Sequence, residues 1–365
     1  MALNVQKIYA DLHPLAEVGG TEKKTSAYVV KVLDELGIEY KAPVGRTGVV
    51  AWIRSGNPGP VVLARADMDA LPFSTEDGGT CAIHACGHDA HTAMLLCVAE
   101  RMLGKVQSGT LKLVFQPAEE IRSGALWMIE DGVLEDVDVA IGAHIRPEQD
   151  MPAGGMCSSL NHVASATVRV RFIGKVAHGA RPHLGVNPID EAMSFIAMVN
   201  SEHYDPNKSW TVKATRMQTE QGAVNSLAAW CEVMFDLRAQ TNDIFYKMLE
   251  NMERQAKAVA AGYGGEVEFE NVDYCPAPEY DKALMELIDE AIVETVGEQR
   301  LYGACGGGGE DFHFYKEKKP QIRSAYFGIG VGAAPGLHHR EMHFDPKYLS
   351  AGVDVWERIL TKLLG

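Results

Sequence analysis

The apolar residues of this chain change their spacing near residue 164, and that change limits what it can fold into. Up to about residue 160, short apolar runs at 48–53, 60–64, 111–115 and 137–143 alternate with amphipathic stretches at 91–103 and 124–130. Strands covered on both faces read as continuous runs, so this is the pattern of a mostly parallel sheet with helices packed over it. From about 164 to 272 the period becomes two. In Val168-Arg169-Val170-Arg171-Phe172 one side is apolar and the other basic, as in an antiparallel sheet with one face in water.

Within the second region, Asn187-Pro188 reads as an N-cap followed by proline at the first helical position, and Ile189, Ala192, Met193 and Ile196 keep an apolar face. A second helix is expected near 243–261 and strands at 211–215, 229–238 and 266–272, which gives βαββαβ order, the ferredoxin-like arrangement. After it, 281–296 is amphipathic and stops at Gly297, a strand is expected near 324–329, and a final helix starts at about 346. The expected fold class is therefore α/β, with a domain at 1–163 and 274–365 interrupted by an inserted domain at 164–273. A length of 365 residues agrees, since it exceeds one ordinary core.

A formal net charge of -15 with no basic stripe argues against nucleic acid or an anionic membrane as partner. The opening residues lack the charged-then-apolar pattern of a signal peptide, and no apolar run reaches the roughly 18 residues of a membrane span, so a cytoplasmic location is expected. Seven scattered cysteines do not form a disulfide framework; in a reducing compartment they stay thiols.

Chemistry gathers at the ends of the apolar runs. Val61 to Ala64 leads into Arg65-Ala66-Asp67-Met68-Asp69, Val114-Phe115 into Gln116-Pro117-Ala118-Glu119-Glu120, and Val139 to Ala143 into His144. Open α/β sheets place their sites at such carboxyl ends. The segment His84-Ala85-Cys86-Gly87-His88-Asp89-Ala90-His91 falls at a helix entry and packs thiol, imidazole and carboxylate into eight residues. That donor set suits zinc and can hold manganese or another first-row divalent ion.

The strings RADMDALP, HACGHDAHTAML, QPAEE and GEDF resemble the M20 metallopeptidases, in particular the amidohydrolase branch that includes auxin-conjugate and aminobenzoyl-glutamate hydrolases. The resemblance extends to the inserted region through Ala177 to His183 and Gly222-Ala223-Val224-Asn225. It implies a zinc-peptidase-like catalytic domain with a lid and dimerisation domain, and two divalent ions, zinc or manganese, held by Cys86, His88, Glu120, His144 and a C-terminal histidine. His338 matches that last position best because it follows Leu337; His339 and His343 stay open. Cys86 as thiolate would bridge the ions, Asp69 is the acid behind the ligands, and Asp67 stands where many relatives carry a histidine. Asp67 and Asp69 also suit turn or capping positions. Glu119 is implied as the general base that takes a proton from a metal-activated water and passes it to the leaving nitrogen.

His178 resembles the lid histidine that crosses a dimer interface to polarise the scissile carbonyl, which implies a homodimer or higher homo-oligomer. Asn225 and Arg238 suit a substrate carboxylate, and equally an interface or a turn. The run Gly306 to Gly309 departs from the Ser-Ser or Met-Ser common in the family and leaves the substrate open. The expected reaction is hydrolysis of the amide C–N bond of a small-molecule N-acyl or N-aroyl amino acid. Deamination of an aromatic amine or amidine at the same site, and a non-catalytic ligand-binding protein, are the alternatives. The chain has no His-Glu-x-x-His, no phosphate-binding Gly-x-x-x-x-Gly-Lys and no Gly-x-Ser-x-Gly.

Overall fold

Two compact units divide the chain in the computed structural model, Met1–Asn161 with Glu279–Gly365, and His162–Pro278. The structure describes residues 3–220 and 222–365.

The first unit is built on a seven-stranded mixed sheet. Its strands are β1 (Glu39–Val44), β2 (Gly48–Arg54), β3 (Val61–Asp67), β6 (Thr110–Gln116), β7 (Val139–Pro147), β8 (Met156–Cys157) and β13 (Arg323–Ala333), in the spatial order β1-β2-β6-β3-β7-β13-β8. The central pairings β6-β3, β3-β7 and β7-β13 are parallel, and the flanking ones are antiparallel. A separate hairpin joins β4 (Leu71–Ser74) and β5 (Thr80–Ile83). The helices are α1 (Val5–Leu12), α2 (Lys23–Leu36), α3 (His88–Met102), α4 (Gly124–Glu130), α7 (Lys282–Val296), α8 (Phe314–Lys318) and α9 (Leu349–Leu364). In α7 the buried Leu284, Ile288, Ala291 and Ile292 follow helical spacing, and the Asp281 side chain caps the first turn through the Leu284 amide at 2.8 Å. Helix α3 has no solvent-facing side over most of its length: His88 to Ala99 are all buried, so it is a core helix packed among α1, α9 and β3.

Strands β7 and β13 run past the ends suggested by their apolar runs. The polar His144 and Arg146 interrupt the run in β7, yet the ladder to β13 continues through His144↔Gly328 and Gly330↔Arg146. Backbone pairing, not side-chain polarity, decides where a strand ends. Strand β1 carried no apolar run because it is a largely exposed edge strand, where Pro43 is also tolerated.

The second unit holds β9 (Ala164–Ile173), α5 (Pro188–Asn200), β10 (Trp210–Thr219), β11 (Trp230–Ala239), α6 (Asn242–Tyr263) and β12 (Glu266–Cys275). The sheet order is β10-β11-β9-β12 and every pairing is antiparallel, the ferredoxin-like topology. Period-2 alternation buries Cys231, Val233, Phe235, Leu237 and Ala239 of β11 on one face. Phe195 of α5 and Phe245, Met248 and Met252 of α6 belong to the same core. Among the described residues, no helix is long and apolar enough to cross a membrane.

Candidate metal centre

Because β6, β3 and β7 are neighbouring parallel strands, their carboxyl ends lie along one edge. Asp67 closes β3 opposite Gln116 of β6, and His144 lies in the last half of β7. Helix α3 enters the same place. Its N-cap is Gly87 at φ 85°, and a Cβ there would lie 2.2 Å from Ile145 Cδ1, so both the left-handed turn and the close approach demand glycine. That turn separates Cys86 from His88 and lets both side chains face the strand ends.

The donors converge. Three triads each bring their ligand atoms within 4.8 Å of one another: Cys86, His88 and His144; Cys86, Glu120 and His338; and His88, Glu119 and Glu120. Cys86 Sγ is 3.3 Å from His144 Nε2. His88 Nε2 is 3.8 Å from Glu120 Oε1 and 3.9 Å from Glu119 Oε2, and His338 Nε2 is 3.6 Å from Glu120 Oε1. His339 Nδ1 instead accepts the Glu341 amide, and His343 Nδ1 donates to the Glu341 carbonyl.

The outer hydrogen bonds set the tautomers. His88 Nδ1 donates to Asp69 Oδ1 at 3.1 Å and His144 Nδ1 donates to the Ile145 carbonyl at 2.6 Å, which turns the Nε2 of each ring inward. Asp69 uses its second oxygen to accept the Glu120 amide at 2.9 Å, so one carboxylate orients a histidine and the glutamate turn together. His91 has no lone pair to offer a metal. Its Nδ1 donates to Asp67 Oδ1 at 2.6 Å and its Nε2 accepts the Ile145 amide at 2.9 Å.

Two atoms inside the cluster, His88 Nε2 and Glu120 Oε1, are buried without a hydrogen-bond partner. Leaving such groups bare costs free energy that a bound cation would recover, so the donor set fits a divalent metal. The titration of the acids points the same way. Burial pushes the Glu119 carboxyl well up, and the charges of Glu310, Glu120 and Asp311 add to the push. Burial holds Glu120 at about 7 despite the pull of His88, and burial with the Glu120 charge pushes the Cys86 thiol well up. His88 moves against its own burial, held well up by Asp67, Cys86 and the bond to Asp69. A buried excess of negative potential is what these shifts share.

Sequence reasoning assigned no role to what lies behind the cluster. The fully buried Arg65 guanidinium donates to Asp67 Oδ2 at 2.6 Å, to Glu310 Oε1 at 3.0 Å, to Asp311 Oδ1 at 2.8 Å and to Gln116 Oε1 at 3.0 Å. Glu119, Glu310 and Asp311 form another close group. Burial lifts the Asp311 carboxyl to about 8, against the opposing charge of Arg65. The signal available in sequence was the placement of Arg65 two residues before Asp67 and the Glu310-Asp311 pair. His91 was visible too, at i+3 from His88 on the same helix. Gly306 in the glycine run has φ 70°, and a Cβ there would lie 2.3 Å from the Arg146 guanidinium, so Gly306 itself lies close over that arginine.

His178, Asn225 and Arg238 are in the second unit. His178 is exposed and its backbone bridges Ser226, while the Asn225 carbonyl accepts the Gly179 amide at 2.7 Å, so the two motifs are one loop pair. The Ala180 amide donates to His178 Nδ1 at 3.0 Å, which puts the ring proton on Nε2. Arg238 pairs along its own strand with Asp236, at 2.8 Å.

The chain matches the model of peptidase family M20/M25/M40 over residues 63–362. It is similar to N-acetylcysteine deacetylase of Bacillus subtilis, 31% identical with 93% of this chain and 91% of that protein covered. It is similar to N-acetyldiaminopimelate deacetylase of Streptococcus pneumoniae, 29% identical with 96% of each covered. The crystal structure of the YXEP protein of Bacillus subtilis, described as a dinuclear metal binding peptidase of the M20 family, superposes with a TM-score of 0.81 at 28% identity and covers 99% of this chain and 97% of that one. Motif spacing, sheet topology and the match across most of its length agree: this chain belongs to peptidase family M20/M25/M40.

Proposed function

We propose that this chain is a metal-dependent amidohydrolase that cleaves the amide C–N bond of N-acyl or N-aroyl amino acids. The observation that carries the reading is the pair of overlapping triads that share Cys86, with His88 Nε2 and Glu120 Oε1 buried and unpartnered between them. In this reading Cys86, His88, Glu120, His144 and His338 would hold two divalent ions, zinc or manganese. Bound there, such ions supply Lewis acidity that polarises a carbonyl and lowers the pKa of water. The names of two relatives, deacetylases of N-acetylated amino acids, support this bond and this substrate class.

The protein's own part is proton transfer and positioning. Glu119, with its proton affinity raised by burial and by Glu310, takes a proton from water and returns it to the leaving nitrogen. Asp69 keeps the His88 ring and the Glu120 amide in place during that exchange. Residues 1–163 and 274–365 serve as the catalytic domain and 164–273 as a lid and dimerisation domain. His178 from a second copy donates its Nε2 proton to the developing oxyanion, and Asn225 and Arg238 bind the substrate carboxylate. A cytoplasmic setting keeps Cys86 reduced.

The test is a screen of N-acyl and N-aroyl amino acids with zinc, manganese and cobalt, scored for released amine. Glu119→Gln is expected to lower kcat by about 10²- to 10⁴-fold with metal content unchanged. Release of ammonia in place of an amino acid would move the assignment to deamination, and full turnover by metal-free protein would end it.

A further inference from the structure

The turn that carries Glu119 is held in an unfavourable backbone conformation. Ala118 has φ 56° and Arg122 φ 53°, left-handed values that residues with a Cβ seldom adopt. Such a conformation persists only where its surroundings over-determine it. On one side of Glu119 the holder is Asp69, which accepts the Glu120 amide. On the other side it is Glu22, 96 residues away in sequence, whose Oε1 accepts the Ala118 amide at 2.8 Å.

Glu22 is fully buried and both of its carboxylate oxygens are hydrogen-bonded. Oε1 also accepts the Gly20 amide at 2.8 Å, and Oε2 accepts the Thr47 hydroxyl at 2.5 Å. Glu22 stands just before α2 but makes no cap bond to it. Glu17 does so in its place, taking the Lys24 amide at 2.8 Å and the Thr25 amide at 3.1 Å. The Glu22 carboxylate is thereby turned away from its own helix and onto the strained turn. Two buried acids from separate elements thus bracket Glu119, one on the amide before it and one on the amide after it.

We infer that Glu22 is a positioning residue for Glu119: by binding the Ala118 amide it holds the left-handed turn that aims the Glu119 carboxylate. The inference rests on the reading of Glu119 as general base. Without Glu22, Ala118 relaxes to negative φ and the Glu119 side chain swings away from the reacting atoms, where a displacement of about 1 Å costs on the order of 10²-fold in rate.

The experiment compares Glu22→Ala, Glu22→Gln and Ala118→Gly, alone and combined, with N-acetyl-L-cysteine as substrate, together with amide exchange of the 117–122 segment in metal-free protein. Glu22→Ala is expected to lose about 100-fold in kcat with KM and metal content close to wild type, and to exchange the Ala118 amide faster. Glu22→Gln keeps an acceptor oxygen and should keep both kcat and protection. Glycine takes positive φ without a Cβ penalty, so Ala118→Gly in the Glu22→Ala background should recover much of the lost kcat. Full kcat in Glu22→Ala, or a loss that Ala118→Gly leaves untouched, overturns the inference. Should Glu22→Ala fail to fold, Glu22→Asp carries the same expectations, because it keeps the charge but falls one methylene short of the amide. Full kcat in Glu119→Gln would instead overturn the base assignment while leaving the exchange result to stand on its own.

Discussion

Replacing Arg65 by methionine should destabilise the protein more at alkaline than at acidic pH. The guanidinium is buried and meets Asp67, Glu310 and Asp311 at 2.6, 3.0 and 2.8 Å. Methionine matches much of its volume, so cavity formation is small and the loss is electrostatic. Removing one partner of a buried ion pair costs about 3–5 kcal/mol, because the charge left behind has no partner. For a unit of this size that corresponds to a fall in Tm of roughly 10 °C. The pH dependence follows from Asp311, which burial already lifts to about 8 while Arg65 pulls the other way. Without Arg65 its folded-state pKa rises further above the unfolded value. A group raised on folding contributes stability that is present at low pH and lost as pH rises through the folded pKa. The deficit of Arg65→Met should therefore stay level from pH 5 to about 8, where Asp311 is protonated in both folded proteins, and grow from there to about pH 10. Thermal unfolding followed by circular dichroism across that range tests it, with Arg65→Lys expected to fall in between because one ammonium cannot reach all the acceptors. A Tm within about 2 °C of wild type at every pH would refute the reasoning.

Titration of the metal-free protein with zinc, manganese or cobalt should raise Tm, by the equivalent of about 2.7 kcal/mol at a hundredfold excess over Kd; Cys86→Ala and His88→Ala should lose that response, and an undiminished rise would remove them as ligands. Gly87→Ala puts a Cβ at φ 85° and 2.2 Å from Ile145 Cδ1, and should cost at least about 2 kcal/mol by denaturant unfolding, from the left-handed conformation and the overpacking together. Burial holds the Glu191 carboxyl at about 7, with neither oxygen hydrogen-bonded, so its contribution to stability is lost as pH rises through that value. Glu191→Gln should flatten the decline in Tm between about pH 4.5 and 7, and an unchanged slope there would count against it.

Local sequence was enough for what depends on local spacing. The period of the apolar residues separates a sheet covered on both faces from one covered on a single face, because a buried strand needs apolar side chains on both sides and a half-exposed strand on only one. Strand-end placement brought forward Glu119, Glu120 and His144, since a parallel sheet collects its carboxyl ends whatever the loops do, and the helix entry brought forward Cys86 and His88. Tertiary structure decided everything that depends on who meets whom across the chain. Among His338, His339 and His343 the sequence favours His338 only through the Leu337 before it, and it is the fold that brings His338 Nε2 to 3.6 Å from Glu120 while its neighbours turn to Glu341. His91 stands in the same motif as Cys86 and His88, yet Asp67 and the Ile145 amide occupy both of its nitrogens. Arg65 and Glu22 read as ordinary polar residues of a strand and a helix start. Burial turns them into fixed partners, because a charge removed from water must find its counterpart or its donors, and some of these are distant in sequence, Ala118 96 positions from Glu22 and Asp311 246 from Arg65.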